Sequence, residues 1–320
     1  MRGTACAARL ALGSIALLAA FAASAQESDP QELLRRMSAA LRRVDFQGSF
    51  IYQHDGRTDA LRIFHQGGDD ERERLISLTG ARSEIIRSDR TITCLQQGGA
   101  PTLFVNHPEY RLLPLVPNVG ALGAQYSVTA AGADRVAGYE ARIVDISPRD
   151  PYRYGYRLWL QQGNQLLLRS AVLDAARRPL EQFMFVSLDI GARPSETDLL
   201  PTGNVGNAAS PSDEVAIPAK PLWTVAAAPA GFRLIRTQRP LGGTPQTEHL
   251  VYTDGVASVS VYVEPDAASG QPAVESTIVR GVLSIHSVDA AGLHVTALGN
   301  VPPLTVQTMA RSVRPSRAID

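Results

Sequence analysis

Hydrophobic and polar positions repeat with two different periods along this chain. Leu33, Leu34, Met37, Leu41 and Val44 recur at helical spacing, with Arg35, Arg36, Arg42 and Arg43 on the opposite face. Asp29 suits the N-cap, Pro30 the first helical position, and Glu32 the place of a capping-box partner reaching back to it. The apolar stripe predicts a helix packed on a sheet, with its arginines in solvent. From Phe46 the period becomes two. Phe46, Phe50 and Tyr52 alternate with Gln47, Ser49 and Gln53, and Asp55-Gly56 signals a hairpin turn. Further strands are expected near 60–66, 74–79, 83–88 and 91–96, as an antiparallel meander, with Gly67–Arg74 a mixed-charge loop. A second group of alternating segments covers Tyr139–Ile146, Tyr152–Gln161, Gln165–Leu173 and Glu181–Ile190. In one of these, Tyr154, Tyr156, Leu158 and Leu160 should face the interior, opposite Arg153, Arg157, Trp159 and Gln161. Leu166-Leu167-Leu168 suits a strand covered on both sides.

Between Gly191 and Pro221 the alternation stops. Those 31 residues hold five prolines, three glycines and three serines, the composition of an extended linker. Pattern resumes at Trp223. A hairpin joins Glu248–Tyr252 to Val256–Val263 through Thr253-Asp254-Gly255, and strands near 276–288 and 293–298 follow. Val306, Met309, Ala310 and Val313 then mark a closing helix begun by Pro302-Pro303. The expected fold is α+β, mainly antiparallel β, with a large domain at 26–190, a linker at 191–221 and a smaller α+β domain at 222–320.

Residues 1–25 read as a secretory signal. Arg2 and Arg9 give a basic start, the apolar run Leu10–Ala23 is 14 residues long, and Ala23-Ser24-Ala25 supplies small residues for cleavage before Gln26. That run is too short to span a bilayer as a helix. Export changes the reading of the two cysteines: Cys6 leaves with the signal, so Cys94 has no internal disulfide partner and reads as a small buried hydrophobe. The 31 basic residues balance 31 acidic ones, which gives no electrostatic case for nucleic acid, and Lys220 is the only lysine.

Sequence motifs for chemistry are missing: no G-x-S-x-G elbow, H-E-x-x-H, P-loop or dinucleotide fingerprint occurs. Asp69 and Asp70 could ligate a metal, but their arginine neighbours favour a solvated turn; His286 and His294 could face each other across a hairpin, which is too few ligands for a metal site. No cofactor is expected, and the chain reads as a binding protein rather than an enzyme. A curved sheet with one amphipathic helix can enclose an apolar groove, whose candidate lining is Phe50, Tyr52, Ile92, Tyr156, Leu158 and Met184, each equally readable as core. Arg233, Arg236 and Arg239 recur every third residue, as an exposed edge or as a contact for an anion or acidic peptide. Trp159, among polar neighbours, is expected to be either partly covered by another domain or a contact anchor.

Three groups of residues carry a family resemblance: Asp45–Tyr52 (DFQGSFIY) after the short amphipathic helix; Tyr154–Leu160 (YGYRLWL) with Leu180-Glu181-Gln182-Phe183; and Pro229-Ala230-Gly231-Phe232 with Tyr252-Thr253-Asp254-Gly255 and Gly299–Pro303. In this order and spacing they resemble the MucB/RseB type of sigma-E factor regulatory protein, over nearly the whole mature chain. The resemblance implies a periplasmic protein whose N-terminal domain is an unclosed β-barrel with helices, shaped like the lipoprotein carriers. It also implies binding to the periplasmic part of a single-pass anti-sigma factor, shielding of that factor from proteolysis, and release by envelope stress, with lipopolysaccharide or lipoprotein as signal. It assigns much of the partner binding to the C-terminal domain. A rival expectation is a periplasmic carrier of lipid or lipoprotein; a secreted hydrolase is a third class. Whether the protein forms a homo-oligomer is left open.

Overall fold

The computed structural model describes residues 29–88, 91–97, 102–105, 112–113, 118–203, 220–239, 247–265, 275–290 and 292–316. The signal-peptide reading lies outside the described residues. The chain opens with α1 (Pro30–Arg43), capped by Asp29, whose carboxylate accepts the Gln31 amide at 3.0 Å. Glu32 does not complete a capping box. It accepts instead from Arg35 and Arg36, one helical turn on, because guanidinium donors are within easier reach than the cap amide. Leu33, Leu34, Met37, Ala40 and Leu41 are buried, as the apolar stripe requires.

Eleven strands make the first sheet: β1 (Phe46–His54), β2 (Arg57–Gln66), β3 (Arg72–Ser77), β4 (Ser83–Arg87), β5 (Thr91–Gln96), β6 (Thr102–Val105), β7 (Tyr126–Val136), β8 (Tyr139–Pro148), β9 (Gly155–Gln161), β10 (Leu167–Leu173) and β11 (Pro179–Ile190). Their order is β6-β5-β4-β3-β2-β1-β11-β10-β9-β8-β7, antiparallel throughout, and β6 and β7 do not pair with each other among the described residues. The sheet is therefore unclosed, and α1 lays its stripe into the concave face. Phe46, Phe50, Phe183 and Phe185 form the centre of that core, edge to face at centroid separations of 5.6 to 6.2 Å. Gly48 lets β1 and β11 approach closely at their bulge; a Cβ there would lie 2.4 Å from the Ser187 carbonyl oxygen.

Two differences from the sequence reading have separate causes. Arg72, Glu73 and Arg74 belong to β3 rather than to a loop, and Glu73 and Arg74 are buried. Charge hides these positions from a hydrophobic count, but each charge has a partner. Glu73 accepts from Arg87 on the concave face, and Arg74 donates to Glu84 on the convex one. β7 escapes pattern reading because Ala130–Arg135 is exposed and small or polar, so it shows no alternation.

The segment read as linker begins with a docked stretch. A turn of helix, α2 (Glu196–Leu199), sits on the convex face of β2 and β3, with Leu199 buried. Arg72 bridges Glu196, Arg74 donates to the Asp198 carbonyl at 3.0 Å, and Thr202 donates its amide and hydroxyl to Glu84. Burial pushes the Glu84 carboxyl up, but the donors from Thr202 and Arg74 outweigh it and hold that carboxyl below its ordinary range.

The second unit comprises β12 (Trp223–Val225), β13 (Arg233–Gln238), β14 (Glu248–Thr253), β15 (Ser258–Pro265), β16 (Glu275–Arg280), β17 (Leu283–Ala290), β18 (Leu293–Gly299), α3 (Pro303–Arg311) and β19 (Val313–Pro315). Six strands form an antiparallel sheet in the order β13-β14-β15-β18-β17-β16, while β12 and β19 pair separately and join the two ends of the unit. Val306, Met309 and Ala310 of α3 cover one sheet face, against Leu250, Val259, Val261, Val295 and Ala297. The stretch 276–288, read as one strand, is two: the chain reverses at Gly281, whose φ of +54° suits glycine.

Leu34 and Met37 are fully enclosed by the large core, so shortening either should leave a cavity. Leu34→Ala is expected to cost about 2–5 kcal/mol, read from the midpoint of urea denaturation at unchanged slope.

Candidate functional site

The groove candidates divide between the two faces of the large sheet. Phe50 and Leu158 are fully buried in the packed core with α1, and Ile92 is buried on β5 outside that cluster. Tyr52 and Tyr156 are partly buried at its margin. Met184 is on the other side of the sheet, since it pairs with Ile51 and Arg169 while its neighbours Phe183 and Phe185 pair with Tyr52 and Phe50. The six candidates therefore do not form one surface. Trp159 shares the convex row with Met184 and is 5% exposed: the Arg169 guanidinium lies 4.1 Å above its ring, and its indole N–H donates to Asp134 at 2.9 Å. Its cover comes from its own domain, which leaves almost no indole surface for a partner. Cys94, half-buried on β5, is a free thiol pushed up by burial.

A polar row crosses the concave face beside Phe46. His65 stacks on that ring at 4.5 Å and donates Nδ1–H to the Val44 carbonyl oxygen. Its Nε2 faces Glu71 at 3.4 Å and Glu73 at 3.8 Å. The three could hold a metal by their spacing, but Arg87 donates to both carboxylates at 2.6 Å and takes the place a cation would occupy. Asp69 and Asp70 do not join this group. His286 and His294 do not face each other either. His286 sits opposite Ala297, and His294 opposite Asp289, three residues along and so on the other face of the sheet.

The arginines at 233, 236 and 239 separate. Arg233 and Arg236 are exposed on β13, an edge strand with a bulge between Leu234 and Arg236. Arg239 is engaged: it donates to the fully buried Glu248 carboxylate at 3.2 Å and to the Lys220 carbonyl at 3.1 Å.

The densest chemistry lies where the two units meet. Arg153, placed on the outward face of its strand segment, is only 3% exposed because the second unit covers it. Its Nε donates to Asp254 at 2.5 Å, and its terminal nitrogens reach Asp150 and the Ala230 carbonyl. The guanidinium also lies 4.9 Å over the Phe232 ring. Asp254 serves both units at once. One carboxylate oxygen accepts the Val256 and Ala257 amides of its own turn, and the other accepts Arg153 and the Tyr126 hydroxyl. Burial, followed by the Asp254 charge, pushes the Tyr126 hydroxyl far above its ordinary range, so it remains a donor. A second clasp lies beside the first. Glu181 accepts the Tyr52 hydroxyl at 2.6 Å and the Val282 amide at 3.0 Å, and a Cβ at Gly281 would strike its carboxylate. Tyr154, Val172 and Val282 pack between the clasps, and Thr305 donates to the Tyr152 carbonyl at 2.7 Å. A cleft of about 760 Å³ opens next to them, lined by residues such as Ile146, Arg149, Leu180, Val279 and Pro303.

Sequence reading missed this junction as a site, although most of the segments that carried the family resemblance meet in it. Tyr52, Tyr154, Glu181, Ala230, Phe232, Asp254 and Pro303 all take part. The signal was an arginine just ahead of β9 whose one local acid, Asp150, cannot by itself account for its burial.

Removing Asp254 should strand Arg153 in a covered position. Asp254→Ala is expected to cost about 3–5 kcal/mol in denaturant titration, and adding Arg153→Met to recover only the part due to the stranded guanidinium, since the Val256 and Ala257 amides and the Tyr126 hydroxyl also lose their acceptor. A cost under about 1 kcal/mol for Asp254→Ala would mean that this pair does not hold the units together.

Comparison with known proteins follows the same division of the chain. Residues 29–203 match the MucB/RseB N-terminal domain and residues 218–314 the MucB/RseB C-terminal domain. The chain is 33% identical over 320 residues to the sigma factor AlgU regulatory protein MucB of Pseudomonas aeruginosa, covering 97% of each, and 27% identical to the sigma-E factor regulatory protein RseB of Haemophilus influenzae, covering 94% of this chain and 96% of that protein. Among solved structures, the Pseudomonas aeruginosa MucA/MucB complex matches with a TM-score of 0.73 and 30% identity over 91% of this chain and 100% of that one. MucB in complex with MucA(peri) matches at 0.71 and 29% over the same shares. No helix among the described residues is long and apolar enough to cross a membrane. The two matched domains, the identity over nearly the full length and the shared fold agree: this chain belongs to the MucB/RseB family of sigma factor regulatory proteins.

Proposed function

We propose that this protein is a non-enzymatic periplasmic regulator that binds the periplasmic domain of a transmembrane anti-sigma factor. Occupying that domain, it shields the anti-sigma factor from regulated proteolysis and so restrains the envelope-stress sigma factor. A competing envelope-stress ligand, lipopolysaccharide or a lipoprotein, releases it by favouring an unbound state. The observation that carries this reading is the full-length likeness to MucB, whose solved complexes contain MucA. The signal-peptide pattern before Gln26 supports the compartment. The filled concave face weighs against the carrier alternative, because α1 and the phenylalanine cluster occupy the space an acyl chain would need.

The test uses the chain from Gln26 onward and the periplasmic domain of the single-pass anti-sigma factor of the source bacterium. Stable association in titration calorimetry, together with slower cleavage of that domain by the first regulated protease, is the expected result. Absence of association, with lipoproteins recovered from membrane extracts instead, would overturn the reading in favour of the carrier.

The exposed arginines of β13 are proposed to touch an acidic part of the same partner. Arg233→Glu with Arg236→Glu should weaken association several-fold and flatten its salt dependence. Arg239 is left intact in this experiment, since its loss would strand the buried Glu248 and confound binding with stability.

A further inference from the structure

β16 is an edge strand without the protections that the comparable edges carry. β7 ends the large sheet with a register shift between Ala130 and Ala133, a glycine at φ +105° and the charged pair Asp134 and Arg135. β13 ends the small sheet with its own bulge and with Arg233 and Arg236. Such bulges and charges keep an edge from pairing with another chain. β16, by contrast, holds unbroken register with β17 from Glu275 to Arg280, and all its residues are exposed. Its centre is Ser276-Thr277-Ile278-Val279, free of proline and charge, with Ile278 50% and Val279 49% exposed. A flat β-branched edge of this kind is a template for strand addition.

The surroundings of β16 favour one occupant. The strand runs straight into the cleft between the units, which Val279 and Gly281 help to line. Arg149 lines the same cleft, and Arg280 shares the Ile278 face at the end of β16; both are exposed and make no ion pair among the described residues. The outer carboxylates have been taken: Glu275 is bridged to Arg311, and Asp174 to Arg178. An extended segment entering here meets backbone donors and acceptors along β16, apolar contact at Ile278 and Val279, and unsatisfied positive charge at the cleft mouth.

We infer that β16 and the adjoining cleft receive an extended, acidic peptide segment by strand addition, and that this segment belongs to the anti-sigma partner. The inference rests on the proposed function and gives its binding site a place and a chemistry. Backbone pairing supplies affinity. Alternate side chains of the incoming strand pack on Ile278, and its acidic end is held by Arg149 and Arg280.

The experiment titrates the periplasmic domain of the anti-sigma factor into the mature chain and into two variants. Ile278→Lys with Val279→Lys puts charge on the edge; Leu78→Lys with Val186→Lys adds the same charge at positions of similar exposure (53% and 54%) on the large domain. The edge variant is expected to bind at least tenfold more weakly and the control to bind as the wild type does. In the wild-type complex, amide hydrogen exchange at residues 275–280 should slow at least tenfold, a readout that does not depend on the variant folding. Wild-type binding that the edge variant retains within twofold, or unchanged exchange at 275–280, overturns this inference alone. Loss of self-association in the edge variant with partner affinity intact overturns it as well, and assigns the edge to a second copy of the chain. Absence of wild-type binding overturns the functional reading and this inference with it.

Discussion

Arg153 is the point on which the two-unit arrangement turns. A guanidinium cannot be removed from water unless its donors and its charge are met. Here the neighbours that meet them come from both sides: Asp150 from its own loop, and Ala230 and Asp254 from the second unit. Asp254 lies 101 positions away in sequence. Its carboxylate is already oriented by the Val256 and Ala257 amides, so the turn that forms the β14–β15 hairpin also presents an aimed acceptor to the other unit. Glu181 repeats the arrangement in the opposite direction, with a carboxylate of the large domain accepting an amide from the small one. The contact is thus specified by polar geometry around a small apolar patch, rather than by a large hydrophobic interface.

Under the proposed function the bound and released states must be close in free energy, and that construction suits such a balance. An extensive apolar interface would fix one relative placement of the units whatever bound nearby. A contact made of a few charged hydrogen bonds is strong when dry and weakens sharply once water enters, because its stability depends on a low local dielectric. A ligand that alters the junction by a modest amount can then shift the population of partner-binding states. Couplings of about 1–3 kcal/mol suffice for such control, comparable to the loss of one or two charged hydrogen bonds.

Much of the fold was legible in the sequence, and each exception has its own physical cause. The stripe Leu33–Leu34–Met37–Leu41 and the alternation in β8 to β11 are patterns of burial against a single core, and burial of that kind leaves a local signature. β7 leaves none, since its Ala-rich middle is paired through the backbone alone with most side chains in water. Glu73, Arg74 and Arg87 are misleading for the opposite reason: charge suggests solvent, while their mutual pairing allows burial. The site was harder still. Arg153 alternates as an outward residue of its own strand segment, and it does face outward from the large domain; a separate part of the chain covers it. No window of sequence contains both halves of that pair. The dispersed motifs did carry the information, in that Pro229–Phe232 and Tyr252–Gly255 looked like unrelated turns until the structure brought both to one guanidinium.

The same reasoning explains why the small domain can be a recognition module even though its core is ordinary. α3 fills one face of the six-stranded sheet and reaches Thr277 and Glu275 of β16 through Gln307 and Arg311, while every residue of β16 remains exposed. One edge is bulged and basic, and the other is flat and β-branched. An edge whose centre carries neither bulge nor charge is open to pairing with other chains. Retaining it is reasonable where an occupant normally covers it. The end of β16 also leads to Gly281 and Val282, the residues held by Glu181 at the second clasp. A strand added along β16 would therefore act beside the contact that sets the domain arrangement, so that occupancy of the edge and orientation of the units are coupled through a single turn of backbone.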